Sequence, residues 1–320
     1  MKVLVPFCPD FSLPDLNPFR DRIELYGGFM DEGWEAQYQT SYGLNRMSSF
    51  RQGANFASFR QWLEAAAEAA DMGIPVNTVL NALHYDDQQR AFIRDAYLQP
   101  LRGIPGMGII TSDIRLVSEA HGLGLRTSVS TIAGVYHAGR AAQYRDAGAD
   151  SIILPRELTL EEIDGIMRSV PGVAWEVFLM SSGCRFSDAV CMGCHIPRQG
   201  GLCQLLDHSG RSLEGDADFA EMSHQRMSAH LFTDLFMKDA CGLCALYRLE
   251  QMGVQKLKIV GRSAGQQHAM GMLSLIVRNI DIARESASEA EYLRRMIMPD
   301  RRDLRCTEGF NCYYPEIRFP

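Results

Sequence analysis

The chain has 320 residues, 46% of them hydrophobic and 22% charged, with a formal net charge of −7. That length fits one large α/β domain, since a parallel barrel commonly needs about 250 residues. The acidic balance gives no general attraction to nucleic acid or to an anionic membrane surface, and no run reaches the roughly 18 apolar residues of a membrane span.

In chain order, Val3-Leu4-Val5-Pro6-Phe7 reads as a strand. It is too short, and lacks the small-residue cleavage site, for a secretory signal, so a cytoplasmic address is the default expectation. Arg22-Ile23-Glu24-Leu25-Tyr26 reads as a second strand. A helix follows through Phe59, Trp62, Leu63, Ala66 and Ala70, apolar residues three and four apart. Val76 to Leu80 and Met107 to Thr111 are strands. Ser112 is expected to cap a helix carrying Ile114, Val117 and Ala120, which stops at His121-Gly122-Leu123-Gly124.

Leu125 to Val129 is the next strand, followed by a helix through Tyr136, Ala141 and Tyr144 ending at Gly148. Ser151 to Leu154 and Val173 to Phe178 are strands, and between them Thr159-Leu160-Glu161-Glu162 has capping-box spacing. Leu243 to Met252 reads as a helix, Lys256 to Val260 as a strand, and Gln266 to Ile280 as a helix. Eight strands, most followed by a helix, imply a parallel sheet with right-handed crossovers. The expected fold is an α/β, (β/α)8-type barrel-like domain, with an open doubly wound sheet as the alternative. A basic patch of Arg294, Arg295, Arg301, Arg302 and Arg305 reads as a solvated helix end.

Six of the nine cysteines lie between Cys184 and Cys244, in the run Cys184-x6-Cys191-x2-Cys194-x8-Cys203 and the later pair Cys241-x2-Cys244. Soft thiolates suit iron–sulfur clusters, zinc or copper(I). In a reducing compartment clustered cysteines are metal ligands or redox groups rather than structural disulfides. The pairs Cys191/Cys194 and Cys241/Cys244 leave a four-thiolate zinc site open. Cys194, Cys244, Cys306 and Cys312 form a further set that a second cluster could use. Cys8 reads as a buried thiol at a strand end, and His195 as a partly exposed loop residue. The cysteine segment falls between the seventh and eighth strands, over the face where barrel active sites lie. The expected organisation is a barrel domain over 1–282, including the cysteine segment 181–245, and a packed helix and tail over 283–320.

Several charged residues sit on that framework. Arg156 and Glu157 follow a strand; Arg156 offers a forked donor for an anion and Glu157 an acid or base. Glu176 lies within a strand, where a charge needs a partner, and Lys258 and Arg262 are the partners expected for it. No His-Glu-x-x-His motif is present.

Three segments, Leu154 to Ile163, Trp175-Glu176-Val177-Phe178 leading into Gly183-Cys184-x6-Cys191, and Gly253 to Arg262, resemble the peptidase U32 family, over roughly residues 106 to 280. The resemblance implies a [4Fe–4S] cluster held by Cys184, Cys191, Cys203 and Cys241, the fourth ligand being the one that varies in the family. It implies oxygen-independent hydroxylation of a small organic or RNA substrate, as in ubiquinone biosynthesis and RNA modification. A paralogous U32 partner subunit is implied too, since the ubiquinone members work in pairs. A cluster-bearing subunit without catalysis and a peptidase are the alternatives. Read from their positions rather than from the resemblance, Arg156, Glu157, Glu176, Lys258 and Arg262 are the candidate catalytic set, with structural ion pairs as the alternative. Val260, in place of the family's usual Glu, departs from the pattern.

Overall fold

The computed structural model describes residues 1–38, 43–47, 54–82, 84–181, 187–189, 240–262, 264–299 and 312–317. Eight strands carry the fold: β1 (Lys2–Pro6), β2 (Ile23–Gly27), β3 (Val76–Val79), β4 (Met107–Thr111), β5 (Arg126–Val129), β6 (Ser151–Ile153), β7 (Ala174–Met180) and β8 (Lys256–Ile259). Each pairs in parallel with the next, and β8 returns to β1 through Val3↔Leu257 and Leu4↔Lys258. That last pairing makes the sheet a closed (β/α)8 barrel, not the open alternative.

The strands form where they do because their outward faces are almost wholly apolar. Val3, Ile23, Leu25, Ile109, Ile152 and Leu257 are each fully buried beneath the helical layer. Burial stabilises such a side chain by about 1.5–3 kcal/mol. The inward face is unusually charged. Glu24 on β2 reaches Arg126 on β5 and Lys256 on β8, contacts that only the barrel interior permits.

The helices are α1 (Glu32–Tyr38), α2 (Phe59–Asp71), α3 (Asp87–Phe92), α4 (Ile114–Gly122), α5 (Ala138–Asp146), α6 (Leu160–Ser169), α7 (Leu246–Met252), α8 (Gln266–Glu285) and α9 (Glu289–Arg295). α3 runs on through a π-helical stretch, Ile93–Leu98, into a last turn, Gln99–Leu101. The Thr159–Glu162 capping box opens α6 as expected, each side chain serving the other's backbone N–H. The start of α4 corrects the sequence reading. Asp113, not Ser112, is the cap, accepting from the N–H groups of Arg115 and Leu116, while the Ser112 hydroxyl donates to the Ala82 carbonyl. A carboxylate also suits the positive helix end. Tyr136 lies outside α5, ahead of its cap His137.

Between β7 and β8 the chain leaves the barrel at Ser181 and returns at Ala240. Ser181 N–H donates to Ala240 O (2.8 Å), and Gly242 N–H to Leu179 O (2.7 Å). A 3-10 turn, Leu243–Ala245, then leads into α7. The tail residues Cys312–Ile317 pack on the same strand end. Cys241 bridges both Met180 and Cys312, the Tyr313 hydroxyl donates to Ser181 O, and the Tyr314 hydroxyl to Phe178 O. No helix among the described residues is long and apolar enough to cross a membrane.

Candidate functional site

The loops after the strands gather charged side chains at the C-terminal mouth, the face that carries the chemistry in parallel barrels. At its centre is Asp188, in the segment that leaves β7. Arg156, just beyond β6, donates to it from Nη2 (2.7 Å) and Nε (3.2 Å). Arg46 pairs with its other oxygen, and the Thr131 hydroxyl donates at 3.2 Å. Burial alone would raise this carboxyl's pKa, but the Arg156 and Arg46 guanidiniums outweigh it and hold the group well below the ordinary carboxylate range. Arg156 also lies 4.4 Å over the Phe178 ring, which stacks on Tyr313 of the tail.

Glu157 diverges from its neighbour. It is exposed at the rim, where the Tyr136 hydroxyl donates to it (3.1 Å) and also meets Ser187. Deeper in, Lys258 Nζ donates to Glu176 Oε1 (2.9 Å) and sits 3.8 Å from the centre of the Tyr26 ring. Glu176 is fully buried and its Oε2 has no hydrogen-bond partner among the described residues. Burial lowers the Lys258 pKa, with Glu176 pulling it back up.

Arg262 does not share Glu176, contrary to the sequence reading. Its guanidinium turns to two neutral amides, donating to Asn55 Oδ1 (3.0 Å) and Asn45 Oδ1 (2.9 Å). Gly28 makes this cradle possible, because a Cβ there would fall 2.8 Å from Arg262 Nη1 and 2.8 Å from Asn45 Nδ2. The Cys8 thiol donates to the Arg262 carbonyl, and burial pushes its pKa up to about 12, so it stays a thiol.

Of the cysteines, Cys241 is half-buried and bridged to Met180 at the end of β7 and to half-buried Cys312, and Cys244 is buried. Cys184, Cys191, Cys194, Cys203, Cys306 and His195 lie outside the described residues. Among the described residues no three His, Cys, Asp or Glu side chains converge on one metal position. A four-thiolate centre would need cysteines that lie outside the described residues. The thiols described here, Cys241, Cys244 and Cys312, are soft donors of the type that iron–sulfur, zinc and copper(I) centres use.

Sequence reasoning missed Asp188, Arg46, Thr131, Asn45 and Asn55. The one local signal was the Gly27-Gly28 pair straight after a strand, which marks a close approach of other groups. It also missed a Ser–His contact. Ser181 Oγ lies 2.6 Å from His268 Nε2, and Ser181 is the one non-glycine with positive φ (69°) among the described residues.

A closed parallel barrel with a charged mouth and a cysteine-bearing β7–β8 connection defines the class as a (β/α)8 protein with this cluster of charges on its C-terminal face. The family model described as peptidase family U32 matches residues 35–318, and the chain belongs to that family. No curated protein matches it. Among solved structures it is similar to the U32 peptidase Mk0906, at 16% identity over 62% of this chain and 77% of that one, with a TM-score of 0.45. It is also similar to a structure described as native KDPGal, at 9% identity over 89% of this chain and 95% of that one, with a TM-score of 0.44.

Proposed function

We propose that this U32 chain is an oxygen-independent hydroxylase, or a related group-transfer enzyme, acting on a small organic substrate in the barrel mouth. In this reading Cys184, Cys191, Cys203 and Cys241 hold a [4Fe–4S] cluster beside that mouth. The observation that carries it is Cys241, bridged to Met180 at the C-terminal end of β7, the strand whose interior residue Glu176 pairs with Lys258. When bound, such a cluster supplies one-electron transfer.

The chain's own residues do the rest. Arg156 and Arg46 grip an anionic group of the substrate, with Asp188 as the counter-charge they release or share. Glu176 and Lys258 hold a proton between Oε1 and Nζ. Asp188 ties the start of the cysteine segment across the mouth. Arg156, Glu176 and Lys258 are recessed, with side chains at most a tenth exposed. That depth favours a small molecule, or a single extruded base, over an RNA surface. A second U32 chain is the proposed partner.

Anaerobic purification tests the cluster. The expected product is brown, with roughly four iron and four sulfide per chain; Cys241→Ala loses most of the iron and Cys8→Ala keeps it. Stoichiometric zinc without sulfide overturns the reading.

One observation favours a second reading, acyl transfer by a peptidase. A serine held in a left-handed conformation and hydrogen-bonded to a histidine is an arrangement that can activate a nucleophile. Labelling of Ser181 by a fluorophosphonate, lost in Ser181→Ala and in His268→Gln, would move the assignment there; no labelling removes it.

A further inference from the structure

We infer that Lys258 is an amine nucleophile that captures a small aldehyde or ketone in the barrel mouth as an imine, with Glu176 as its proton carrier. The inference rests on the proposed function only in placing the substrate in the mouth. It needs neither the cluster nor hydroxylation.

Three observations carry it. The first is geometry. Nζ is held between the Glu176 carboxylate (2.9 Å) and the Tyr26 ring (3.8 Å), and the Lys258 side chain keeps 10% exposure while Glu176 has none. The Lys258 side chain is thus nearly buried, and its carboxylate partner is wholly so. The second is the idle oxygen. Glu176 Oε2 is buried without a hydrogen-bond partner among the described residues, a costly state for a purely structural ion pair and a usable one for proton transfer. The third is residue choice. Of 32 basic residues, only Lys2, Lys238, Lys256 and Lys258 are lysines. The chain uses arginine nearly everywhere for its ion pairs, yet places lysine here. Arginine is the better partner for a buried carboxylate and cannot lose its proton; lysine can, and then attacks carbonyls. Burial, with Arg262 and Lys256 nearby, works in the same direction on the Lys258 ammonium, against Glu176.

The step balances without an oxidant or reductant. Lys258 passes one proton to Glu176, and the free Nζ pair attacks the carbonyl carbon as the C–O π pair moves to oxygen. Glu176 gives its proton to that oxygen and takes one from Nζ, leaving the carbinolamine. It then protonates the hydroxyl, which departs as water, and the C=N+ iminium faces a Glu176 carboxylate. Carbonyl compound and ammonium have become iminium and water. The iminium acidifies the adjacent C–H bond, which is the activity this site adds.

Lys256 is an internal control. It faces the same barrel interior, but its partner Glu24 is also held by Arg126 and Asn77. The test exposes native protein at neutral pH to pyruvate, and separately to acetaldehyde, with sodium cyanoborohydride, and maps the reduced adduct by peptide mass spectrometry. The expected result is an adduct on Lys258 with at least one probe, formed faster than on Lys2 and with Lys256 unmodified. Glu176→Gln slows it by about 100-fold, and Lys258→Arg removes it. No Lys258 adduct with either probe, or modification no faster than at Lys2, overturns the inference. The wild-type measurement alone decides it, and it reads neither iron nor a hydroxylated product, so its failure would leave the cluster proposal standing.

Discussion

The barrel interior holds two charged layers built from the same ingredients and finished differently. Toward the N-terminal ends of the strands, Glu24 Oε2 accepts from Lys256 (3.1 Å), Arg126 (3.1 Å) and Asn77 (3.2 Å). Nearer the mouth, Glu176 has one donor, Lys258, and one oxygen without a partner. The first layer is a closed network; every partner is fixed and one of the cations is an arginine that cannot deprotonate. The second is left incomplete, and both of its members can change protonation state. A half-satisfied buried group stabilises a fold poorly, so the difference separates a layer that holds the barrel from a layer available for chemistry.

The sharpest way to break that comparison is to remove each carboxylate's charge. Burial tends to raise the Glu24 pKa, but Lys256 and Arg126 together pull it from the usual 4.5 down to about 2. Glu24→Gln is therefore expected to cost about 3 kcal/mol in denaturant unfolding near neutral pH. Glu176→Gln is expected to cost about 1 kcal/mol, because Lys258 can shed its proton when the counter-charge goes. Equal losses would dissolve the distinction between the layers.

The same layer predicts an acid response. A carboxyl whose folded pKa is depressed contributes its full stability above the unfolded value and loses it as pH falls through the folded one. Wild-type protein should thus lose about 3 kcal/mol between pH 4.5 and about 2 from this group, and Glu24→Gln should lack that component of the acid unfolding curve.

At the mouth, Asp188→Asn leaves Arg156 and Arg46 without their shared charge and is expected to cost about 2 kcal/mol. It also frees an anion site, so added sulfate should raise the melting temperature of this variant more than that of wild type. No difference would mean the arginines are not available to a ligand. The smallest effect belongs to Arg156→Lys. A single ammonium keeps a charge near Asp188 but loses the two-pronged contact and the stack on Phe178, about 1 kcal/mol. Turnover should fall further than stability does.

Much of this was legible beforehand, for identifiable reasons. Buried parallel strands read as continuous apolar runs, and all eight were found, with ends off by one or two residues at most. The Thr159–Glu162 capping box was legible because both partners are local. The α4 cap was misread because Ser112 and Asp113 are adjacent and equally suited to capping, and only the backbone path decides between them. Arg156, Glu176, Lys258 and Arg262 stood out as charges in or beside apolar strands. Asp188, Arg46 and the two asparagines did not. Their loops carry no periodic pattern, and their partners are remote: Arg46 lies 142 residues from Asp188, and Arg262 lies 217 from Asn45.

By itself the sequence determined the number of strands, their order along the chain and their apolar character, because hydrophobic burial and turn signals are local rules; it left open which face Glu176 takes. The tertiary structure alone decided which charge meets which. Closing the barrel brings β2 against β5 and β8 across the interior, and a Coulomb or hydrogen-bond partner is set by that distance, not by spacing along the chain. That is why Glu24 ended up saturated and Glu176 did not, although each is an inward glutamate on a short strand with a lysine of β8 for its partner.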